Sequence, residues 1–294
     1  MKPIKPFKTL DEQLEILLSR GLIVKSKKVA KKYLSSINYY RLSAYTLTLR
    51  KNDKFYKNVK FEDILEIYYF DMELRHALMQ LLESIEVSMR THISYHHGET
   101  YGPLGYKKPE NFARKVYHDD FLNSCNMCID KFAHNEIFIK HHNDVYGRKY
   151  PIWVLVETLT FGTLSKMFSN LKKNIQKEIS RQYYKNIPVR YLKNWLHAAT
   201  IIRNICAHQG RLYNRKVPYA ILYSKKDRKI FNKNDIPIDI ANKTLFGYLL
   251  NFKKLVPRDE IWEDFVEKFK DLVIKYPFVL LKHYGFPDNW EDFL

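Results

Sequence analysis

The chain has 294 residues, of which 46% are hydrophobic and 15% aromatic, enough for one large domain or a main domain with a small annex. Lys and Arg total 50 against 32 Asp and Glu, so the formal net charge is +18. This charge predicts a polyanionic partner, most readily nucleic acid, although a lysine-rich solvated surface gives the same count. Only nine glycines occur, which disfavours Gly-rich phosphate loops and turn-dense β folds.

Cysteine usage and hydropathy predict a cytoplasmic protein. Three cysteines are too few for a disulfide framework. Cys125 and Cys128 have the spacing of half a zinc site, but no second pair follows, so we expect buried thiols and neither a metal nor another cofactor. The first six residues lead into no apolar run, so no signal peptide is predicted. No stretch reaches the roughly 18 apolar residues of a membrane span.

Residues 9–45 predict short helices. Thr9 and Glu12 have the pattern of a capping box, and Ser26 is a second candidate N-cap. Two short helices with a tight link also resemble a helix-turn-helix, so a DNA-binding regulator is an alternative that we rank below RNA binding. We expect residues 1–55, which begin with a basic lead-in, to form a small N-terminal helical annex to a main domain of residues 56–294.

The clearest long helix is predicted over residues 61–97, because apolar residues recur there at three- and four-residue steps. These residues are Leu78, Leu82, Ile85, Met89 and Ile93. A neighbouring polar stripe is formed by Glu83, Glu86, Arg90 and His97. Residues 110–146 predict one or two further helices whose histidines lack the regular spacing of metal ligands, so we expect them on the solvated surface. They are His118, His134, His141 and His142.

The second half of the chain continues the helical pattern. Pro151 opens an apolar helix, and Pro188 precedes the helix that carries the central motif. Residues 216–240 are rich in Lys and Asp and predict a loop. Two amphipathic helices are expected around residues 241–255 and 258–275. No alternating strand pattern occurs, so the predicted fold class is all-α.

The most informative string is Arg203-Asn204-Ile205-Cys206-Ala207-His208. Asn204 and His208 are four residues apart and therefore share one face of the predicted helix, and the long side chain of Arg203 can reach across to the same phosphate. We expect the opposite, apolar face to contain Trp195, Ala199, Ile202 and Cys206. The predicted polar face extends in both directions to include His197, Arg211 and Arg215.

These side chains match the needs of metal-free RNA cleavage. A base must remove the proton of the ribose 2′-OH, an acid must protonate the leaving 5′-oxygen, and a cation must stabilise charge on phosphorus. His208 suits the proton transfer, Arg203 binds phosphate oxygens, and Asn204 can orient the imidazole or donate to phosphate. One such histidine per chain supplies one proton-transfer group, so the chemistry favours a composite site in a homodimer.

The spacing alone is a weak signal. An Arg followed four to six residues later by a His also occurs from Arg90 to His96 or His97, and from Arg190 to His197. A helix surface with ordinary polar residues explains such a match equally well. We interpret the Arg90–His97 region in one of two ways. Arg90 forms a structural ion pair, with Glu86 on the same helix, or Arg90 and His97 contribute to RNA contacts.

The sequence resembles the abortive-infection (Abi) family of bacterial phage-defence proteins, in its AbiD/AbiF-like branch. The resembling segments, in chain order, are YYRLSAY (39–45), YFDMELR (69–75), IEVSMRT (85–91), WVLVE (153–157), FGTLS (161–165), RNICAH (203–208), RLYNR (211–215) and GFPDNW (285–290). This resemblance implies membership of the HEPN superfamily, which is all-helical and usually dimeric. Many HEPN proteins are metal-independent endoribonucleases with an Arg-x(4–6)-His motif and a polar residue after the Arg.

Carried over, the resemblance implies that Arg203, Asn204 and His208 are catalytic and that the protein is an RNA-cleaving toxin of antiviral defence. The residues expected to contact RNA are Arg211, Arg215, Arg90, His97, Tyr213 and His197. Some HEPN proteins bind RNA without cutting it. The alternative is therefore a non-catalytic RNA-binding protein associated with a structured non-coding RNA, and RNA is the expected partner in both cases.

Overall fold

The computed structural model describes residues 4, 6–132 and 136–294. These residues form fourteen α-helices and one two-stranded sheet, so the all-α prediction is confirmed. Part of the basic lead-in, at positions 1–3 and 5, and the predicted surface histidine His134 lie outside the described residues. None of the helices in the described part of the chain combines the length and apolar character that crossing a bilayer requires.

The helices, in chain order, are α1 Leu10–Ser19, α2 Lys27–Ser36, α3 Tyr39–Ser43, α4 Phe61–Tyr101, α5 His118–Phe132, α6 Ile137–Tyr146, α7 Ile152–Thr158, α8 Phe161–Asn170, α9 Lys173–Tyr183, α10 Val189–Ala207, α11 Lys225–Lys233, α12 Ile238–Ala241, α13 Leu245–Phe252 and α14 Asp259–Lys275. The antiparallel strands are β1 Arg50–Lys51 and β2 Lys54–Phe55. Asn52 and Asp53 between the strands have positive φ, as a two-residue hairpin turn requires. Strands this short show no alternation, which explains why the sequence pattern missed them.

Helix α4 is the central element of the fold. It is 41 residues long and packs against α7, α8, α9, α10 and α14. Its predicted apolar stripe is buried, because five neighbouring helices cover it. The adjacent polar stripe is also partly covered: Glu86 and His97 are buried, whereas Glu83 is exposed. The buried apolar residues form one continuous cluster that runs from α1 to the C-terminal segment.

Helix α10 lies across α4 and α8, and also contacts α13. The predicted apolar side is confirmed as buried, and the indole Nε1 of Trp195 donates to the Leu222 carbonyl at 2.7 Å. His197 and Asn204 lie on the exposed side. The exposed positions His197 and Asn204 are two turns apart, and between them Thr200 is buried and Ile201 is half-buried, so the predicted polar face is interrupted.

Two predictions about the less regular regions were wrong. Residues 216–240 contain α11 and α12 as well as loop, and α11 starts at a capping box formed by Ser224 and Asp227. The sequence pattern did not reveal α11, because Phe231 is its one buried residue and a lysine-rich helix of this kind has little apolar periodicity. His118 is buried rather than solvated, and its Nε2 lies 2.9 Å from the Tyr106 carbonyl oxygen.

A buried carboxylate ties together distant parts of the chain. Asp71 of α4 is completely buried and forms an ion pair with Arg75 one turn later. It also accepts hydrogen bonds from the Tyr45 hydroxyl at 2.8 Å, the Leu212 amide at 3.1 Å, the Tyr213 amide at 2.8 Å and the Tyr284 hydroxyl at 3.0 Å. A buried carboxylate with this many donors is stabilised as part of the structure. We call this group the Asp71 cluster.

Two buried histidines of α4, His92 and His97, have lowered pKa values. Burial lowers the pKa of His97 to about 4, and burial together with the nearby His96 lowers that of His92 to about 4. Neither ring nitrogen of His97 has a hydrogen-bond partner among the described residues. Protonating either ring would place a charge in apolar surroundings.

We expect the free energy of unfolding to decrease as the pH falls from 6.5, the ordinary histidine pKa, towards about 4. In that range the unfolded chain binds protons at His92 and His97 that the folded chain does not bind, so acid favours unfolding. Down to pH 5 the loss is about 2 kcal/mol per histidine, at about 1.4 kcal/mol per pH unit. Urea denaturation at several pH values measures this slope.

The matched variants for this measurement are His97→Phe and His141→Asn. Removing the buried imidazole should flatten the slope, whereas replacing the exposed His141 should leave it unchanged. An equal pH dependence in the wild type and in His97→Phe would contradict the assignment.

Candidate functional site

The motif lies at the C-terminal end of α10, where the chain leaves the helix. Ala207 is the last helical residue, and His208 caps the helix with φ −91° and ψ 18°. Gln209 has a φ of 55°, and the Gly210 amide returns to the Ile205 carbonyl at 2.7 Å. A Cβ on Gly210 would lie 3.0 Å from that carbonyl oxygen, so glycine suits this position.

The end of α10 corrects the prediction that Arg211 and Arg215 continue the helical face. Both follow the turn, and both are half-buried. Arg211 donates to the Tyr213 carbonyl at 2.5 Å, and Arg215 donates to the Arg211 carbonyl at 3.2 Å. Their guanidinium groups therefore brace the loop after the motif, with part of each side chain still accessible to an anion.

Arg203 is held in place by a carboxylate of α4. Its Nη2 lies 3.1 Å from Oε2 of Glu86, and its Nη1 donates to Oδ1 of Asn204 at 3.3 Å. The Glu86 side chain is 8% exposed, whereas that of Arg203 is 30% exposed. The guanidinium is thus fixed on its inner side by Glu86 and open to solvent on its outer side, an arrangement that suits binding of a phosphate oxygen.

The second oxygen of Glu86 is taken by Arg90, whose Nη2 lies 2.5 Å away. Arg90 also donates to the carbonyls of Val156 and, at 2.7 Å, Leu159, at the end of α7. Its side chain is 11% exposed and makes three hydrogen bonds inside the protein, so it braces Glu86, and an RNA contact at Arg90 stays a prediction. Two guanidinium groups share one carboxylate, which leaves the cluster one net positive charge.

Asn204 and His208 are exposed beside the half-buried Arg203. The turn that carries His208 is held from outside the motif, because Arg41 of α3 donates to the Gln209 carbonyl at 2.8 Å. The Arg203 guanidinium and the Asn204 amide are in contact, and the exposed His208 follows one turn after Asn204. This set can transfer a proton and stabilise negative charge on a bound phosphate.

The motif surface is open rather than enclosed. Two clefts of about 780 and 650 Å³ lie elsewhere: one beside α6 and α7, the other beside α5, and no motif side chain lines either. An active site needs its reacting groups shielded from bulk water. A single copy does not provide this shielding at the motif.

Two of the predicted RNA-contacting residues are inside the protein. His97 is fully buried between Tyr101 and Phe112, and Tyr213 is buried with its hydroxyl 2.5 Å from that of Thr48. A strand of RNA cannot reach either ring in this structure, and RNA contacts at these two residues stay predictions without structural support. Both rings are enclosed by aromatic neighbours, His97 by Tyr101 and Phe112 and Tyr213 by Tyr45 and Tyr284.

His197 remains accessible on α10, where its ring lies edge-on to Tyr219 with 4.7 Å between centroids. Partial burial, together with the positive charge of Lys166, lowers its pKa. Asn194 supports the same surface, because its side-chain amide donates to the Tyr219 hydroxyl at 2.8 Å.

The sequence reasoning missed two residues that position the motif. Asp71 accepts the amides of the segment after His208, and Arg41 bonds the carbonyl of the residue next to His208. A signal for Asp71 was present, since an acid between Phe70 and Met72 interrupts an apolar helix. Arg41 offers no comparable signal, because its partner is a backbone carbonyl 168 residues away.

The three cysteines are free and buried, as predicted. Burial raises the pKa values of Cys125 and Cys206 to about 12, so these thiols stay protonated at neutral pH. Within residues 4, 6–132 and 136–294, no group of three or more His, Cys, Asp or Glu side chains is arranged to hold a metal ion.

Comparison with known proteins gives one match. The family model described as Abi-like protein matches residues 32–214, which is more than half of the chain and includes α4 and the motif. No curated protein and no solved structure matches the chain. The match supports a role in abortive infection, a defence against phage. By this match, and in agreement with the resemblance in its motifs, the chain belongs to the family of Abi-like proteins.

Proposed function

We propose that this Abi-like protein is a metal-independent endoribonuclease that acts in the cytoplasm and arrests the growth of phage-infected cells as a toxin. We place it in the AbiD/AbiF-like branch and in the HEPN superfamily. One observation carries the proposal: Arg203 is fixed by Glu86 beside the exposed Asn204 and His208 at the end of α10.

The proposed reaction is a transesterification within RNA. His208 removes the proton of the ribose 2′-OH, and the 2′-oxygen attacks phosphorus. The bond from phosphorus to the 5′-oxygen breaks, and that oxygen takes a proton from a second imidazole. The products are a 2′,3′-cyclic phosphate and a 5′-hydroxyl. Arg203 stabilises the negative charge that develops on the phosphate oxygens.

The second imidazole is proposed to be His208 of another copy. The open motif surface and the single suitable histidine per chain both favour a homodimer in which two motifs face each other across a two-fold axis. The partner would also exclude water from the site. Gel filtration with light scattering measures this state, and a protein that cleaves RNA as a monomer would contradict the composite site.

The proposal is tested by incubating purified protein with single-stranded RNA in excess EDTA. We expect cleavage that persists in the chelator, because the proposed groups transfer protons without a metal. Mass spectrometry should find 2′,3′-cyclic phosphate and 5′-hydroxyl ends. Cleavage that EDTA abolishes, or products with 3′-hydroxyl ends, would contradict this mechanism. Salt-dependent RNA binding without any cleavage would instead favour the non-catalytic RNA-binding alternative.

A further inference from the structure

Three cationic side chains and one histidine line the outer surface beside the packed helices α8 and α10. We call these residues the cation track: Arg114, Lys166, Lys193 and His197. Arg114, Lys166 and His197 are exposed and Lys193 is half-buried. The exposed residues of the track reach solvent, so a ligand has access to this surface.

The backbone fixes where the cations of the track lie. The Arg114 amide donates to the side chain of Asn170 at 2.9 Å, and Asn170 donates back to the Arg114 carbonyl at 3.1 Å, which places Arg114 at the end of α8. Lys166 lies one turn earlier on α8, and Lys193 and His197 lie one turn apart on α10. The α10 side of the track therefore carries Lys193 and His197, and the α8 side carries Lys166 with Arg114 held beside Asn170.

The cations of the track act on each other. Besides partial burial, the charge of Arg114 lowers the pKa of Lys193, and the charge of Lys166 lowers that of His197. The neighbours are Arg114 with Lys193 and Lys166 with His197, on the surface where α8 and α10 pack together.

Among the described residues, no carboxylate oxygen of Asp or Glu lies within 4.0 Å of a side-chain nitrogen of any member of the track. Elsewhere lysines are paired: Lys27 lies 3.0 Å from Glu15, and Lys31 lies 2.9 Å from Asp11. Repulsion between the positive charges of the track, with no carboxylate to balance it, lowers the stability of the folded protein. A bound polyanion would remove this repulsion.

The track and the motif lie on the same side of α10, separated by the buried Thr200 and the half-buried Ile201. His197, Asn204 and His208 follow each other at helical spacing on that side. At 1.5 Å per residue, His197 is about 16 Å from His208 along the helix axis. A stacked strand advances about 3.4 Å per nucleotide, so about five nucleotides span this distance.

We propose that the cation track is a phosphate-binding site for a single RNA strand, which it guides along α10 to the motif about five nucleotides away. The inference rests on the proposed function for its choice of RNA as the ligand. It assigns to Arg114, Lys166 and Lys193 a binding role that the motif does not predict. The track supplies affinity without sequence preference, since cations read the backbone and not the bases.

The test compares two variants with equal net charge. The track variant carries Arg114→Gln, Lys166→Gln, Lys193→Gln and His197→Asn. The control variant carries Lys225→Gln, Lys226→Gln and Lys229→Gln on exposed lysines of α11 and His141→Asn on an exposed histidine of α6. The probe is a single-stranded RNA of about 20 nucleotides, longer than a typical single-strand site. Its sugars are 2′-O-methylated, so binding is measured without cleavage.

We expect the track variant to bind the probe at least about tenfold more weakly than the wild type at low salt. The slope of log affinity against log salt should also decrease by about 2, because three phosphate contacts are lost and each contributes about 0.7. The control should stay within about threefold of the wild type. A charge-keeping variant, Lys166→Arg with Lys193→Arg, should retain the wild-type slope. Equal losses in the track and control variants, or no loss in the track variant, would overturn the proposal.

The two proposals fail in different ways in this design. If the wild type binds the methylated probe through the track but never cuts unmodified RNA, the nuclease proposal fails and the track stands. If the wild type cuts RNA and the track variant binds and cuts equally well, the track fails and the nuclease stands. Circular dichroism of each variant shows whether a loss of binding comes from unfolding.

Discussion

The variant His208→Ala is expected to cleave RNA about 10²- to 10⁴-fold more slowly than the wild type, the range that a general acid or base contributes. The imidazole is exposed at the end of α10, one turn after Asn204, whose side chain contacts the guanidinium that Glu86 fixes. Removing it deletes the group that exchanges the proton and leaves phosphate binding by Arg203 in place. Single-turnover cleavage of a labelled RNA measures the rate.

The control is His141→Ala, an exposed histidine of α6 outside the motif. It should cleave at the wild-type rate. Both variants should unfold at the wild-type denaturant concentration, because surface substitutions change stability by less than about 0.5 kcal/mol. In cells, His208→Ala should also relieve toxicity. A folded His208→Ala protein that cleaves RNA at the wild-type rate would remove His208 from the mechanism.

The variant Asp71→Ala is expected to lower the free energy of unfolding by about 3–5 kcal/mol, the cost of breaking a buried ion pair from one side. Arg75 would be left as an unpaired buried charge, and the four donors of the Asp71 cluster would lose their acceptor. Chemical denaturation measures the loss. Hydrogen exchange should show faster exchange at the amides of Leu212 and Tyr213.

The matched control is Glu73→Gln, two residues along the same helix. Glu73 is half-buried and pairs with Lys275 at 2.9 Å near the surface, so its loss should cost no more than about 1 kcal/mol. If Asp71→Ala were no more destabilising than Glu73→Gln, the cluster would not have the structural role that we assign to it. Because the cluster anchors the loop after His208, we also expect Asp71→Ala to slow cleavage, and Glu73→Gln to leave it unchanged.

The helices of the core were predictable because the spacing of apolar residues indicates which side of a helix is buried. The apolar steps of α4 and α10 identified the buried sides of both helices, and hence the exposed face that carries His197 and Asn204. The end of α10 was also readable, since Gly210 is a typical residue after a helix terminus. Extending the face to Arg215 overlooked that signal. The turn at Gln209 instead directs the following segment towards Asp71.

The partners of buried polar groups were not predictable from local sequence. Glu86 shows a favourable spacing to Arg90, but its bond to Arg203 depends on how α10 crosses α4. His97 looked like a member of a polar stripe, yet the turn after α4 covers it through Phe112. A single sequence gives helix faces, whereas the packing of helices decides which polar residue of a face meets solvent.

The Asp71 cluster has a practical consequence for anyone who wishes to work with a smaller protein. The segment that defines the family ends at residue 214, but the Tyr284 hydroxyl bonds Asp71 and the Tyr284 ring packs 5.5 Å from that of Phe70. A gene trimmed to the family boundaries would thus encode a fragment whose interior is opened to water beside the motif loop. The segment after residue 214, about a quarter of the chain, is a structural requirement of the rest, and shortened versions should keep it.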